Sequence, residues 1–456
     1  MENRRALTVG MVTLVTLVAF EAVAVTAAMP AVARALSGLA LYGFAFGGAL
    51  ATSVVGMVLA GAWCDRAGPA RPVAAGVALF CAGLLLAGLA PHMWVLVAGR
   101  LVQGFGGGLV AVALFVVVGR AYPVSEHARV FSFLSAAWVL PAIAGPALAG
   151  LIVQFAGWRW VFLLVIAVAV PSMLLIWPRV RTVRAESSHT ARNNRFAWSI
   201  GTAAGALLLY LGGQQTGPRG AALLAAGLAV ALVCGARLLP PGTLAAARGL
   251  PSVVLLRGLA GAAFMQTDVF IPLMLTRERG LTPALAGLTV TAGALFWSAG
   301  SWVQARQAQR LSDAARLRLG ATGIAVGVLS AMSLAFAGVP VVVVVAGWCA
   351  GGFGMGLASP ASAALVLRYS APAEQGANSS ALQVSDALLT TTALAVGGAL
   401  FAALVDVGPV AYAAAFAVAL VPAVAGVLVA GRTFGGSDGA ARPVALAGDR
   451  AGVGRG

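Results

Sequence analysis

The sequence contains no lysine, three histidines and 13 acidic residues. Charged residues make up 9% of it, against about 25% in ordinary soluble domains. A chain of 456 residues this poor in charge cannot cover a water-facing surface. His92, His127 and His189 sit in loops or at the ends of apolar runs, and no run carries a metal-binding pair. The four cysteines, Cys64, Cys81, Cys234 and Cys349, form no close pair, and each lies in or beside an apolar run. That argues against a disulfide framework or a zinc site. There is no Walker-type phosphate loop, so ATP-driven transport within this chain is unsupported. No cleavable signal is expected, because the first apolar run is long enough to span and lacks a small-residue cleavage site.

What the chain has in quantity is apolar surface. It is 61% hydrophobic, with a mean hydropathy of +0.96. This composition places it in the polytopic membrane class. Spans are expected at 8–30, 43–63, 72–90, 94–118, 130–155, 160–177, 197–213, 220–239, 252–275, 284–304, 318–337, 340–366, 379–403 and 410–430. Each is near the ~20 residues a helix needs to cross a bilayer. That makes fourteen. The seventh, "FAWSIGTAAGALLLYLGG", is short and Gly-rich; with it and the eighth on the surface, twelve would remain.

The net charge of +16 comes entirely from arginines, most of them between apolar runs. That is the pattern of loops at a cytoplasmic membrane face rather than of a nucleic-acid binder. With the N-terminus inside, Arg4, Arg5, Arg66, Arg71, Arg120, Arg129, Arg179, Arg181, Arg237, Arg306 and Arg368 all fall on the inner side. Only Arg34, Arg159, Arg219, Arg277 and Arg279 fall outside. Both termini are therefore expected in the cytoplasm, with the protein multi-pass in the cell membrane. The tail after Gly435 is expected to be disordered. The Arg, Ala and Gly bias is that of a GC-rich, bacterial genome.

The chain also repeats itself. "VAGRLVQGFGGGL" (97–109) returns as "VAGWCAGGFGMGL" (345–357), and "GAWCDR" (61–66) returns loosely as "GSWVQAR" (300–306). Both pairs fit two six-helix halves with two helices inserted between. The expected divisions are 1–178 for the first half and 179–250 for a cytoplasmic linker with two extra helices. The second half is 251–432, and the tail is 433–456. Duplicated halves are a transporter architecture, with the substrate site near the midplane.

Within this pattern several residues stand out. Glu21 lies in "LVTLVAFEAVAVTAAMP", about twelve residues into the first span. An acid at the bilayer centre costs about 3 kcal/mol on insertion scales. Arg100 lies within the fourth span and must find a partner or water. The repeat puts Trp348 in its place, so packing alone does not require arginine there. Gly104 and Gly106 spell a loose nucleotide-loop pattern, but inside a span they serve close helix packing. Asp268 and Asp386 are further acids within spans.

The chain resembles the major facilitator superfamily, in particular its fourteen-span drug:proton antiporter branch. "GAWCDRAGPAR" is similar to the family's loop motif after the second span, matching at Gly61, Asp65, Arg66, Gly68 and Arg71. Pro69 stands where a basic residue is usual. The resemblance implies a role for this loop in latching the cytoplasmic gate; a solvated basic loop is the plainer alternative. Arg100, Gly104 and Gly106 match the fourth-span motif, which implies a role in proton coupling. "PAIAGPALAG" resembles the exporter signature at Gly145, Pro146 and Gly150, with Pro141 and Ala149 replacing glycines. A Gly-Pro step there is expected to kink the helix and allow a close approach. Glu21 falls at the acid position of the family's first-span pattern, with Pro30 at its proline.

The expected fold is thus all-α and polytopic, two six-helix halves with two extra helices between them. The expected function is proton-coupled export of hydrophobic, cationic or zwitterionic small molecules by alternating access. Glu21, Arg100 and Asp268 are the candidates for proton coupling. Removal from water favours the neutral form of a carboxyl group, and a switchable Glu21–Arg100 contact would link protonation to helix movement. Phe264, Gln266, Asp268, Trp138, Trp297 and Asp386 are candidates for the substrate cavity, Asp268 acting with Gln266. No cofactor, metal or nucleic acid is expected; the proton gradient supplies the drive, the bilayer is the solvent, and the protein is expected to be a monomer. A lipid or dedicated metabolite exporter is the alternative, a channel a weaker one. A membrane-embedded enzyme is more remote still, because no span carries a catalytic constellation.

Overall fold

The computed structural model describes residues 2–37, 41–183, 195–213, 215, 217–281, 283–306, 312–335 and 338–434. The expected tail, 433–456, lies outside these from residue 435 onward, as does most of the loop before Arg195. Among the described residues the regular secondary structure is all helical, with no strand. This is the answer to a bilayer, where every backbone N–H and C=O must be satisfied within its own segment.

The helices are α1 (Glu2–Ala35), α2 (Tyr42–Ala67), α3 (Ala70–Gly88), α4 (Met93–Ala121), α5 (Val124–Ala136), α6 (Val139–Phe155) and α7 (Arg159–Val180). They continue with α8 (Arg195–Gly213), α9 (Gly217–Ala236), α10 (Leu250–Arg277), α11 (Pro283–Arg306) and α12 (Asp313–Ser333). The last three are α13 (Val341–Tyr369), α14 (Gln375–Leu404) and α15 (Pro409–Ala430). Among the described residues, thirteen stretches are long and apolar enough to cross a membrane, one of them running from α5 into α6. α11, of span length at 24 residues, stands outside that set. It is more polar, burying Thr289, Ser301 and Gln304 while packing along α13.

Small residues set how closely the helices approach. A side chain on Gly104 or Gly108 of α4 would run into the backbone of Ala49 or Ser53 on α2. On α13, Gly352 and Gly356 meet Gly293 and Trp297 of α11 in the same way. Gly106 meets Phe80 of α3, and Gly354 meets Ile324 of α12. The α2–α4–α3 layer is therefore repeated as α11–α13–α12, and the 97–109 to 345–357 pairing holds. The other sequence pairing needs correction. Gly56 presses on the Phe105 carbonyl as Gly300 presses on that of Phe353. Gly56, not Gly61, is thus the counterpart of Gly300. The apparent likeness of "GAWCDR" to "GSWVQAR" was a slip in register.

The hydrophobic cores show how the two layers are joined. One core takes residues from both: Leu7, Val116, Phe131 and Ile176 with Val254, Leu317, Val366 and Leu382. All of these lie toward the face where α1 begins and α15 ends. Toward the opposite face the cores are separate. Val25, Phe80, Leu96 and Phe162 form one; Phe264, Ile271, Val328, Trp348 and Phe416 form the other. The molecule is closed at the face carrying its ends, where apolar surface is shared.

α8 and α9 form an antiparallel pair seated between α2 and α14, with Val54, Leu209, Ala231, Val384 and Leu388 in one cluster. The glycines that make α8 look weak as a span bring the pair together: Gly205 lies against Ala231, and Gly227 against Leu209.

The expected kink also moves. The break between α5 and α6 falls at Ala137–Trp138, and α6 then runs unbroken through Gly145 and Pro146. Pro141 explains the position. It has no N–H for the carbonyl four residues back, that of Ala137, and its ring crowds that carbonyl.

Candidate functional site

Three groups of polar residues lie within the helical bundle, and each joins helices distant in sequence.

The first joins α1 to α4. Glu21 is 5% exposed and Arg100 is 7% exposed. Arg100 Nη1 donates to the Glu21 carboxylate and, at 2.7 Å, to Gln103 Oε1. Its Nε donates to the Ala45 carbonyl at 3.3 Å. An isolated charge here would be unsupportable; the pair survives because each ion is the other's solvent and Arg100 has further acceptors in Gln103 and Ala45. Gln103 had no place in the sequence reading, although it stands one turn after Arg100 on the same face of α4. Gly145 of α6 lies against Val23, two residues beyond Glu21 on α1. Gly150 has nothing within 4 Å, so that position of the exporter-like run involves no close approach.

The second group closes the face that carries the chain ends. Asp65, at the end of α2, accepts from the backbone N–H groups of Gly376 at 2.8 Å and Ala377 at 2.9 Å. These are first-turn amides of α14, which have no partner within their own helix and carry the positive end of its dipole. Arg120 bridges the same place. It donates to Asp65 at 3.2 Å, to the Cys64 carbonyl at 3.0 Å and to the Pro372 carbonyl at 3.1 Å. Gly61 is needed for the fit, since a Cβ there would meet the Gly376 carbonyl. A second contact crosses the same face, from Ser132 on α5 to Gln304 on α11 at 2.9 Å. Gly68 turns the chain with φ of 79°. Arg66 and Arg71 are exposed and lie outside this junction. In the sequence Arg120 was one loop charge among many; nothing local marks it as the bridge.

The third group lies among α10, α11 and α13. Asp268 is beside the Trp348 indole. Phe264, one turn earlier on α10, stacks on Trp348 with ring centres 4.6 Å apart and meets Trp297 edge-on at 5.1 Å. Gln266 does not join this group, contrary to its expected pairing with Asp268. It is fully buried on the other side of α10, where its amide donates to the Ala415 carbonyl at 3.3 Å and abuts Gly397. Two residues apart on a helix do not share a face. Asp386 is separate too: it accepts from Arg257 at 2.8 Å, an arginine the sequence reading did not weigh. Trp138 is 44% exposed at the α5–α6 break and has no ring contact with the Phe264 group among the described residues.

A family model described as Major Facilitator Superfamily matches residues 11–388. Among curated relatives, MFS transporter L2 of a Phoma species is 31% identical over 150 residues. That alignment covers 33% of this chain and only 25% of that relative. The protein of Mycobacterium tuberculosis named "Probable multidrug-efflux transporter Rv1634" is 29% identical over 384 residues, covering 78% of this chain and 79% of that protein. Among solved structures, the human organic anion transporter MFSD10 superposes with a TM-score of 0.69 at 14% identity, covering 93% of this chain and 99% of that one. At that identity the likeness is one of fold.

Proposed function

The chain belongs to the major facilitator superfamily and is a membrane-embedded transporter rather than an enzyme; on that premise, we propose that it is a proton-coupled exporter of hydrophobic small molecules. The observation that carries this reading is an acid within the spans of each half, Glu21 paired with Arg100 and Asp268 beside the Trp348 indole. Ionisable groups within a span are costly and mark proton or ion pathways by default. Asp268 is a further acid within the same bundle. A membrane potential contributes about 2.3 kcal/mol per charge per 100 mV, enough to drive export against a modest gradient.

Alternating access needs a gate at each face. The Asp65–Arg120–α14 junction suits the inner gate, because its bonds link α2 and α4 to α14 and can break together. On this reading the closed face is cytoplasmic, in keeping with the arginine asymmetry. The fourteen-span branch remains our choice, with α8 and α9 as the extra pair, and the protein acts as a monomer. The exporter-like run and the multidrug-efflux relatives favour export of drug-like substrates over uptake.

The test is a compound panel in an efflux-deficient bacterial host expressing the protein, with and without an uncoupler. Resistance to several hydrophobic cations, lost on uncoupling, supports the reading. Resistance that survives uncoupling refutes the proton drive, and a panel without any response refutes drug export.

A further inference from the structure

The repeated α2–α4–α3 and α11–α13–α12 layers give every α4 residue a counterpart on α13. Gly104, Gly106 and Gly108 match Gly352, Gly354 and Gly356 by their contacts. In the same register Arg100 matches Trp348, and Gln103 matches Gly351. Glu21 reaches Arg100 from α1; Asp268 lies beside Trp348 from α10. Each half thus carries one acid facing the same position of its central helix. Arg100, which holds Glu21, is replaced beside Asp268 by a neutral indole, and Gln103, which holds Arg100, is replaced by a glycine.

Among the described residues, the other neighbours do not supply a cation. On α10 itself the nearest charges, Arg257 and Arg277, lie about three and two and a half turns away. α10 packs against α11, α12, α13, α14 and α15. On α11 the one charge is Arg306, at its last residue. The α12 charges Asp313, Arg316 and Arg318 are in its first two turns, and Arg368 and Tyr369 end α13. Asp386 of α14 is held by Arg257, and α15 offers only Tyr412, whose ring lies against Phe401. Cys349 follows Trp348 on α13 and is a free thiol. The Trp348 indole beside Asp268 belongs to a ring cluster with Phe264 and Trp297, and the buried Trp297 indole N–H has no partner among the described residues.

We propose that Asp268 is the acid that takes up and releases the exchanged proton, and that Glu21 is its permanently ion-paired twin. This rests on the exporter reading above and narrows it. The Glu21 carboxylate is already paired with a guanidinium that Gln103 also holds, and its protonation would strand Arg100. A carboxylate beside an indole, with no cation near it on the helices around it, is neutralised by a proton. Trp348 is then the substitution that divides the labour between the halves.

Dicyclohexylcarbodiimide distinguishes the two acids without a known substrate. It reacts with protonated carboxyl groups in apolar surroundings: the acid's oxygen bonds to the carbodiimide carbon and its proton passes to nitrogen, leaving an adduct that mass spectrometry maps. In the purified full-length protein the adduct is expected on Asp268, declining as pH rises, and at least about tenfold less on Glu21. Trp348→Arg should suppress the Asp268 adduct about tenfold or more by restoring a cation. An adduct chiefly on Glu21, an Asp268 that stays unmodified at every pH, or modification of Asp268 that ignores pH would each overturn the proposal. The exporter reading is checked separately, by ethidium export from proteoliposomes with and without an imposed pH gradient. Export by wild type that ignores the gradient defeats that reading, while the adduct map still decides which acid protonates.

Discussion

Asp65→Asn tests the gate in the place where the structure is most explicit. The aspartate accepts two backbone N–H bonds from α14, at 2.8 and 2.9 Å, and faces Arg120 at 3.2 Å. Its side chain is 8% exposed, so solvent does little to screen these bonds. Hydrogen bonds to charged groups contribute about 1.5–3 kcal/mol each. Asparagine keeps one acceptor oxygen and turns the other position into a donor aimed at an N–H. One charged bond is lost, and the attraction to Arg120 weakens. The closed state should lose about 3 kcal/mol relative to the open one, which moves the equilibrium roughly a hundredfold. The reporter is a cysteine at Ser380, which is 2% exposed behind the junction and abuts Gly61, in a protein stripped of its four native cysteines. A water-soluble maleimide applied from the face that carries the chain ends should label it far faster in Asp65→Asn than in the parent. Transport should fall while binding of a transported compound is kept. Labelling at the parental rate would show that the Asp65 bonds do not hold this face closed. Loss of binding in a folded variant would move Asp65 into the substrate path.

Other perturbations follow from the same contacts. Arg100→Ala leaves Glu21 buried without its cation and should cost about 3–5 kcal/mol, seen as a lowered thermal midpoint in detergent. Adding Glu21→Gln should recover much of that; two losses that simply add would mean the residues are not coupled. Gly104→Ala pushes a methyl group into the Ala49 backbone and should lower the midpoint by the equivalent of about 1–3 kcal/mol. Gly150→Ala, with open space around it, should be neutral or slightly stabilising, and equal damage from both would contradict the packing described. Cysteines at Ser187 and Thr216, both outside the described residues, test the topology. In intact cells an impermeant thiol reagent should spare the first and label the second; labelling of Ser187 would reverse the orientation, and protection of Thr216 would favour twelve spans.

Composition and local pattern made much of this protein legible, because a bilayer is a severe solvent. Nine per cent charge and apolar runs of about twenty residues leave helices as the economical solution, and the described chain is helical. The Gly-rich runs of α4 and α13 revealed the repeat, since close helix contact leaves small residues at fixed spacing. Glu21 and Arg100 stood out because each is costly alone. The same local evidence failed where the outcome depended on which way a side chain points. Gln266 and Asp268 are two residues apart and face opposite ways. The Gly61–Gly300 likeness was short enough to arise out of register. The Gly145–Pro146 step promised a kink, yet the helix breaks at the turn before Pro141.

By itself, then, the amino-acid order determined that the chain spans a membrane, that it is built from a duplicated helical unit and that it carries acids where acids are expensive. These are properties of segments, set by transfer of each residue from water to an apolar phase. Only tertiary structure decided which charges are compensated. Glu21 meets an arginine 79 positions along the chain, and Asp65 meets a backbone amide 311 positions along. Asp268, as costly in sequence as Glu21, is left facing an indole. Coulomb attraction falls with distance through space, not with separation along the chain, so no reading of segments could assign these partners.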